Sequence, residues 1–504
     1  MASLSHRRTP LTRRRRLALA TGVAVVAGVL AVPAVNAATG ATATTPSVKR
    51  LHDDFNGDGY PDLAIGAPGT APDGETRAGA VSVLYGASGG LSTSRRQVLN
   101  RAADEYNGGY GTRLQSADLD GDGYADLLST VGQYMMDVDN GYALLVNWGG
   151  PQGLSATATT LTWAPQHEWQ GGFTVADVDG DKRPDVVTGS ADDWNSDTPD
   201  QDNGDGTVWH GPFTRAGQAA KKDYFRVFPD RATNFHSLTA GDVNGDGVAD
   251  VVVRLGSNGS PDSRAAALLT GGSGGLTLKG WLRDAQGRII GGEDAAIGDL
   301  NKDGYGDIVV GRPNDMYDSA EPPFRGGGLA VVYGGPGGVS TTRKPVWINQ
   351  DTAGVPGAAE QGDGMGSGLS IGDTNGDGYL DVATGLPGED FDGLTDAGTV
   401  LVLRGSANGL TATGYKSFSQ NTSGVPGTAE KLDRFGAETA LVDANADNRD
   451  GLVVGDPAEN ANNGSVWVFS ATSGGITAGG SFSFGSATMG LPATGAEFGA
   501  SLAD

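Results

Sequence analysis

Asp54-Phe55-Asn56-Gly57-Asp58-Gly59-Tyr60-Pro61-Asp62 places oxygen-bearing side chains at the first, third, fifth and ninth positions of a glycine-rich turn. Carboxylates and amides spaced this way direct their oxygens into one small volume, the arrangement a hard divalent cation takes. The pattern returns from Asp118, Asp177, Asp242, Asp299, Asp373 and Asp443, at gaps of 64, 59, 65, 57, 74 and 70 residues. One Asp/Asn/Gly cluster alone reads as a solvated turn. Seven in register, each leading into a similar apolar stretch, read as a repeated structural unit.

The candidate ligands follow from the spacing. They are Asp54, Asn56, Asp58 and Asp62; Asp118, Asp120, Asp122 and Asp126; Asp177, Asp179, Asp181 and Asp185; and Asp242, Asn244, Asp246 and Asp250. The later loops supply Asp299, Asn301, Asp303 and Asp307; Asp373, Asn375, Asp377 and Asp381; and Asp443, Asn445 and Asp447. A main-chain carbonyl at the seventh position completes six loops, from Tyr60, Tyr124, Arg183, Val248, Tyr305 and Tyr379. So many flexible oxygens suit Ca2+, which takes six to eight, better than Mg2+. About six or seven ions are expected. The Asp443 site should be weakest, because Gly451 stands at its ninth position and Asp450 is one residue out of register.

A helical EF-hand is excluded, since it needs a bidentate Glu at loop position twelve. That position holds Ile65, Ser129, Thr188, Val253, Val310, Thr384 and Val454. The β-branched runs after each loop, such as Val251-Val252-Val253 and Ile308-Val309-Val310, are strand starts, so the loops join strands.

Each loop belongs to a longer unit. An aromatic residue or Met followed by Gly precedes it (Tyr110-Gly111, Met365-Gly366, Phe435-Gly436), and a strand ending in Gly-x-Pro follows (Gly66-Ala67-Pro68, Gly311-Arg312-Pro313, Gly385-Leu386-Pro387, Gly455-Asp456-Pro457). A third strand closed by glycine comes next, as in Leu84-Tyr85-Gly86, and then a Gly-Gly-Leu turn into a fourth, as at Gly89-Gly90-Leu91. The expected fold is all-β: a seven-bladed β-propeller of four-stranded blades spanning residues 51–504. The chain ends in Phe498-Gly499, a strand with no loop after it, whereas the repeat region begins with a loop that lacks its strand. The two halves should complete one blade, the C-terminal strand pairing beside residues 61–67 and closing the ring.

These units resemble the FG-GAP repeat of integrin alpha-subunit N-terminal propellers. The second, third and fourth units depart from the pattern, with Ser129-Thr130, Ser190 and Arg254 where Gly-x-Pro would stand. The resemblance implies calcium between the first two strands of a blade, and ligand binding on the face opposite the calcium loops. That face carries the long loops 191–205, 314–325 and 389–392.

Composition is consistent with cation binding. The chain has 35 basic and 60 acidic residues, a net charge of −25, and the loop positions account for 22 of the acids. Nucleic acid, which demands a basic footprint, is excluded as a partner. Residues 1–37 carry all six Arg of a positive leader, an apolar stretch Leu17 to Val32, and a small-residue exit at Val35-Asn36-Ala37. They read as a signal peptide compatible with the general or the twin-arginine route, and residues 38–50 as a low-complexity linker. A secreted monomer with no membrane span is expected. Its partner is expected to be an extracellular protein or glycan.

Cysteine is absent, which removes thiol catalysis. Four His lie beyond the leader (His52, His167, His210, His236), without a zinc-protease spacing. Three G-x-S-x-G matches centred on Ser88, Ser273 and Ser370 lack the following helix that a nucleophile elbow requires. The chain therefore reads as a non-catalytic, adhesion-like binding scaffold. A carbohydrate-binding lectin and an extracellular hydrolase on the same propeller are the alternatives.

Overall fold

Strands such as Leu63–Ala67, Asp126–Val131 and Asp250–Leu255 are buried at every position, without the in–out alternation of a half-exposed sheet. Continuous burial means that both faces of the strand are covered, which here is achieved by stacking one sheet on the next. The computed structural model describes residues 53–503 except 73, 75–76, 102–107, 132–142, 162–171, 190–205, 228–234, 256–264 and 314–324, and His236 only in its backbone. These residues belong to one compact unit, Val48–Asp504.

Seven four-stranded antiparallel sheets follow one another as the blades of a β-propeller. In the second blade the strands run in chain order from the axis outward: Leu114–Ala117, Asp126–Val131, Ala143–Asn147 and Thr159–Thr160. Blades three to seven repeat this order, ending with Glu438–Val442, Gly451–Asp456, Ser465–Thr472 and Gly475–Phe484. The first blade takes its inner strand, Leu502–Ala503, from the C-terminus. Ala503 pairs with Ala64 and Leu502 with Ile65, the closure anticipated from the sequence. Among the described residues the helices are two four-residue turns, Glu459–Asn462 and Ser486–Met489.

Among the described residues the core is divided into seven apolar clusters, each lying between two consecutive blades. One joins Leu63, Ile65 and Leu84 of the first blade to Val453, Val466 and Phe498 at the other end of the chain. Seven blades in an open row would make six such junctions, so the seventh cluster is the closed ring expressed as packing. Arg77 adds an ion pair to Glu497 across the seam, its Nη2 donating to both carboxylate oxygens at 2.8 and 3.0 Å.

The recurring glycines have a packing cause. A Cβ on Gly66 would stand 2.1 Å from the carbonyl oxygen of Gly111, and one on Gly385 would stand 1.6 Å from that of Gly436. The glycine of each Gly-x-Pro strand thus touches the main chain of the next blade's aromatic-Gly turn, and only hydrogen fits between them. The aromatic side chains of those turns plug the same junctions: Phe435 and Phe498 are fully buried, Tyr110 nearly so.

Candidate metal centres

Every complete loop is organised by its first aspartate. Asp54 Oδ1 accepts the N–H groups of Gly57 and Asp58 at 2.7 and 3.1 Å, and Oδ2 accepts that of Gly59 at 2.8 Å. Asp242 repeats the set at 2.7, 3.2 and 2.8 Å. In these two loops the third position then accepts the N–H of the fifth, and the fifth that of the seventh. This winding puts the fourth and sixth residues at positive φ, as at Gly57 (73°) and Gly59 (88°). Lys182, Lys302, Ala446 and Asn448 hold the same conformation without being glycine.

The ninth-position aspartates at 62, 126, 185, 250, 307 and 381 are fully buried. Asp62 accepts the Phe55 N–H within its loop at 2.9 Å and the Gly86 N–H, past the end of the third strand, at 2.8 Å. Asp126 does the same with Leu119 and Gly149, and Asp185 with Val178 and Gly211. These carboxylates therefore tie each loop to the third strand of its own blade. Neighbouring loops are joined as well: Ala125 donates to Asp54 O, Ala249 to Asp177 O, Gly306 to Asp242 O and Asp450 to Asp373 O, at 2.8–3.0 Å. Ala87 donates to Ala444 O across the seam, so the loops form a belt on one face.

Whether this donor set fits a divalent cation is tested by the polar atoms left over. Carboxylate oxygens of Asp118, Asp120 and Asp122 lie within 4.8 Å of one another, as do those of Asp177, Asp179 and Asp181. The other loops carry Asn at the third position. In one of them Asn301, only 6% exposed, donates through Nδ2 to Asp307 at 2.8 Å while its buried Oδ1 has no partner. A buried acceptor without a donor is a group that a cation would satisfy. Burial, with neighbouring carboxylates adding to it, pushes Asp62 up to about 8 and Asp126 to about 7, against the lowering effect of their backbone hydrogen bonds. A bound ion reverses that balance by stabilising the charged form. The residues fit a hard cation.

The loops differ in how far their own side chains already supply positive charge. Arg215 spans Asp120 and Asp122 of the second loop, at 2.6 Å to each. Arg404 reaches Asp381 of the sixth at 2.8 Å, and Arg449 pairs with Asp447 of the seventh at 3.1 Å. Asp450 does not supply the seventh loop with a ninth-position ligand; its Oδ2 accepts the Asp373 N–H of the preceding blade at 2.6 Å. Among the described residues no basic side chain pairs with the carboxylates of loops 54–62 and 242–250.

Sequence reasoning missed Arg215, Arg404 and His210. Arg404 and His210 share a position, immediately before the glycine that closes the third strand; Tyr85, Trp148, Thr270 and Tyr333 occupy it elsewhere. The recurring glycine could have marked that position as facing the loop. Of the anticipated opposite-face loops, 191–205 and 314–324 lie outside the described residues, whereas 389–392 is described. There Glu389 accepts the Gln350 side-chain N–H at 2.7 Å and Phe391 pairs with Leu394. Ser370, one of the three G-x-S-x-G serines, shares a 2.8 Å hydroxyl contact with Thr439.

The FG-GAP repeat matches residues 52–84, 291–333 and 365–403, and the FG-GAP-like repeat matches 118–188. Integrin alpha-6 of Homo sapiens is 37% identical over 119 residues, covering 24% of this chain and 9% of that protein. Phosphatidylinositol-glycan-specific phospholipase D of Bos taurus is 32% identical over 148 residues, 27% of this chain and 17% of that one. Integrin alpha-3 of Mus musculus is 32% identical over 166 residues, 33% and 14% respectively. The alignments thus span less than a fifth of these relatives' length. A Bacillus licheniformis rhamnogalacturonan lyase overlaps 83% of this chain and 86% of its own, at 13% identity and a TM-score of 0.33.

Proposed function

We propose that this FG-GAP repeat protein, similar in its repeats to integrin alpha subunits, is a secreted, calcium-loaded and non-catalytic binding scaffold. The observation that carries the reading is the belt of equivalent acidic loops, with the partnerless buried oxygen of Asn301 inside one of them. Hard cations there stabilise a ring that has no disulfide, since binding to the folded state alone adds to folding free energy. The ligands are the residues named from the sequence at the first, third, fifth and ninth positions, with the seventh-position carbonyl. Loops 54–62 and 242–250 are the strongest, and 443–451 the weakest.

A rigid ring leaves the loops between second and third strands, on the opposite face, free to vary and to bind an extracellular protein or glycan. Among the described residues no helix is long and apolar enough to cross a membrane, and export rests on the leader-like first 37 residues. The test is a pull-down from extracellular material and a glycan array, each with the purified chain in calcium and in EGTA. Retention of a partner in calcium alone supports the scaffold. Cleavage of a polysaccharide or of a phosphatidylinositol-glycan anchor by the same preparation would replace it with the hydrolase reading.

A further inference from the structure

His210 ends the third strand of the third blade, only 6% exposed, with its imidazole turned into the loop that starts at Asp177. Its Nδ1 lies 3.0 Å from Asp179 Oδ2 and 3.4 Å from Asp185 Oδ1, and it is buried without a hydrogen-bond partner. On the other side of the ring Nε2 lies 3.1 Å from Asp223 Oδ2, which Lys221 also contacts. In the tautomer protonated at Nε2, the one a carboxylate at that nitrogen favours, the lone pair of Nδ1 points inward at two carboxylates. Three electron-rich atoms then face one another. A metal ion turns the same arrangement into attraction.

From this geometry we propose that the third blade holds a mixed nitrogen–oxygen metal site, in which His210 Nδ1, Asp179 and Asp185 bind a divalent transition-metal ion of the zinc class in place of calcium. Zinc bonds His nitrogen and carboxylate oxygen at about 2.0–2.2 Å, which sets tetrahedral neighbours about 3.3–3.6 Å apart, close to the separations found. All three donor atoms lie within 4.8 Å of one another. The imidazole decides the ion: nitrogen donors suit zinc and its neighbours, whereas calcium takes oxygen alone. Asp223 completes a carboxylate–histidine–metal chain, the outer contact that fixes the tautomer and strengthens the ligand. The equivalent positions in the first, second, fourth, fifth and sixth blades, Tyr85, Trp148, Thr270, Tyr333 and Arg404, offer no imidazole.

The inference rests on the cation-loop reading only for the shape of the loop, and the experiment separates the two. The purified chain, stripped with a chelating resin and returned to excess calcium, is titrated with Zn2+ by calorimetry and with Co2+ by visible absorption. One equivalent of zinc should bind despite the calcium, and Co2+ should give bands shifted by nitrogen ligation. His210→Ala should abolish both, with the far-ultraviolet dichroism and the melting in calcium retained. Asp223→Asn, a change at a half-exposed side chain, should weaken zinc about 10- to 100-fold. Zinc that binds unchanged in His210→Ala, or that calcium displaces completely, overturns the proposal. His210-dependent zinc in a chain that takes up no calcium keeps this site and removes the calcium reading; calcium uptake without such zinc does the opposite.

Discussion

A loop of nine residues carries two kinds of oxygen, and their roles divide cleanly. The first-position carboxylate winds the loop through backbone N–H groups, and the ninth ties it to the third strand. The fifth position is exposed in every loop and is held least by the fold, whereas the third is half-buried or, at Asn301, buried. Losing a fifth-position carboxylate should therefore act through the ion more than through the loop. Asp58→Ala in the first loop, where no basic side chain competes, is expected to lower the midpoint in calcium by several degrees and to have little effect in EGTA. Asp447→Ala should do less in either condition, because Arg449 already sits 3.1 Å from that carboxylate and Gly451 leaves the ninth position without one. Differential melting of the two variants with and without chelator checks this; equal losses in EGTA would show a role in the loop alone. The carboxylates were legible in the sequence because their spacing is local. His210 was not, since it meets Asp179 and Asp185 only after two strands have paired, and Arg215 reaches the second loop from a different blade.

The blade could be read as four strands because apolar runs, glycine turns and loop period agree with one another. What each blade does to its neighbour could not be read, because those contacts join residues some fifty positions apart through the main chain. Gly385 shows the consequence. Its hydrogen faces the carbonyl of Gly436, so Gly385→Ala forces two blades apart and should cost about 3 kcal/mol or more, at the upper end for overpacking. Denaturant unfolding measures it, and a loss below about 1 kcal/mol would mean that the junction yields more easily than a packed core. The last blade holds a second element-scale test, away from the loops. Asp456 is fully buried, and burial together with Glu459 and Asp433 pushes its carboxyl up to about 8. The folded state thus binds this proton more tightly than the unfolded chain, whose Asp titrates near pH ~3.9. This group's contribution is fullest at acid pH and declines as pH rises between those two values. Asp456→Asn removes the ionisation, so its melting midpoint relative to the parent should climb from pH 4 toward pH 8 at fixed calcium. A flat difference would place the charge of Asp456 outside the stability of the ring.

Closure is a property of the whole molecule, and it depends on few residues. Leu502–Ala503 contributes two paired residues, yet the segment also brings Phe498 into the cluster between first and last blades, Ser501 into contact with Gly66 and Gly111, and Glu497 to Arg77. Without it, Leu63–Ala67 becomes an open edge whose buried apolar faces lose their cover, a template for pairing with another chain. The belt of acidic loops does not replace that strand, since the Ala87 to Ala444 hydrogen bond closes only the loop side of the seam. Truncation after Ala496 should therefore lower the midpoint by more than removal of calcium from the intact chain does, and should yield self-associated species in sedimentation experiments. Arg77→Ala isolates the exposed part of the seam, where a surface ion pair is worth about 1 kcal/mol or less and monomers should persist. If the truncated chain melts as a monomer within about two degrees of the parent, a difference of only about 2 kcal/mol for a chain this long, ring closure is not what holds the propeller together. The seven junctions would then act as independent pairwise contacts, and stability would scale with the number of blades as it does in an open repeat array.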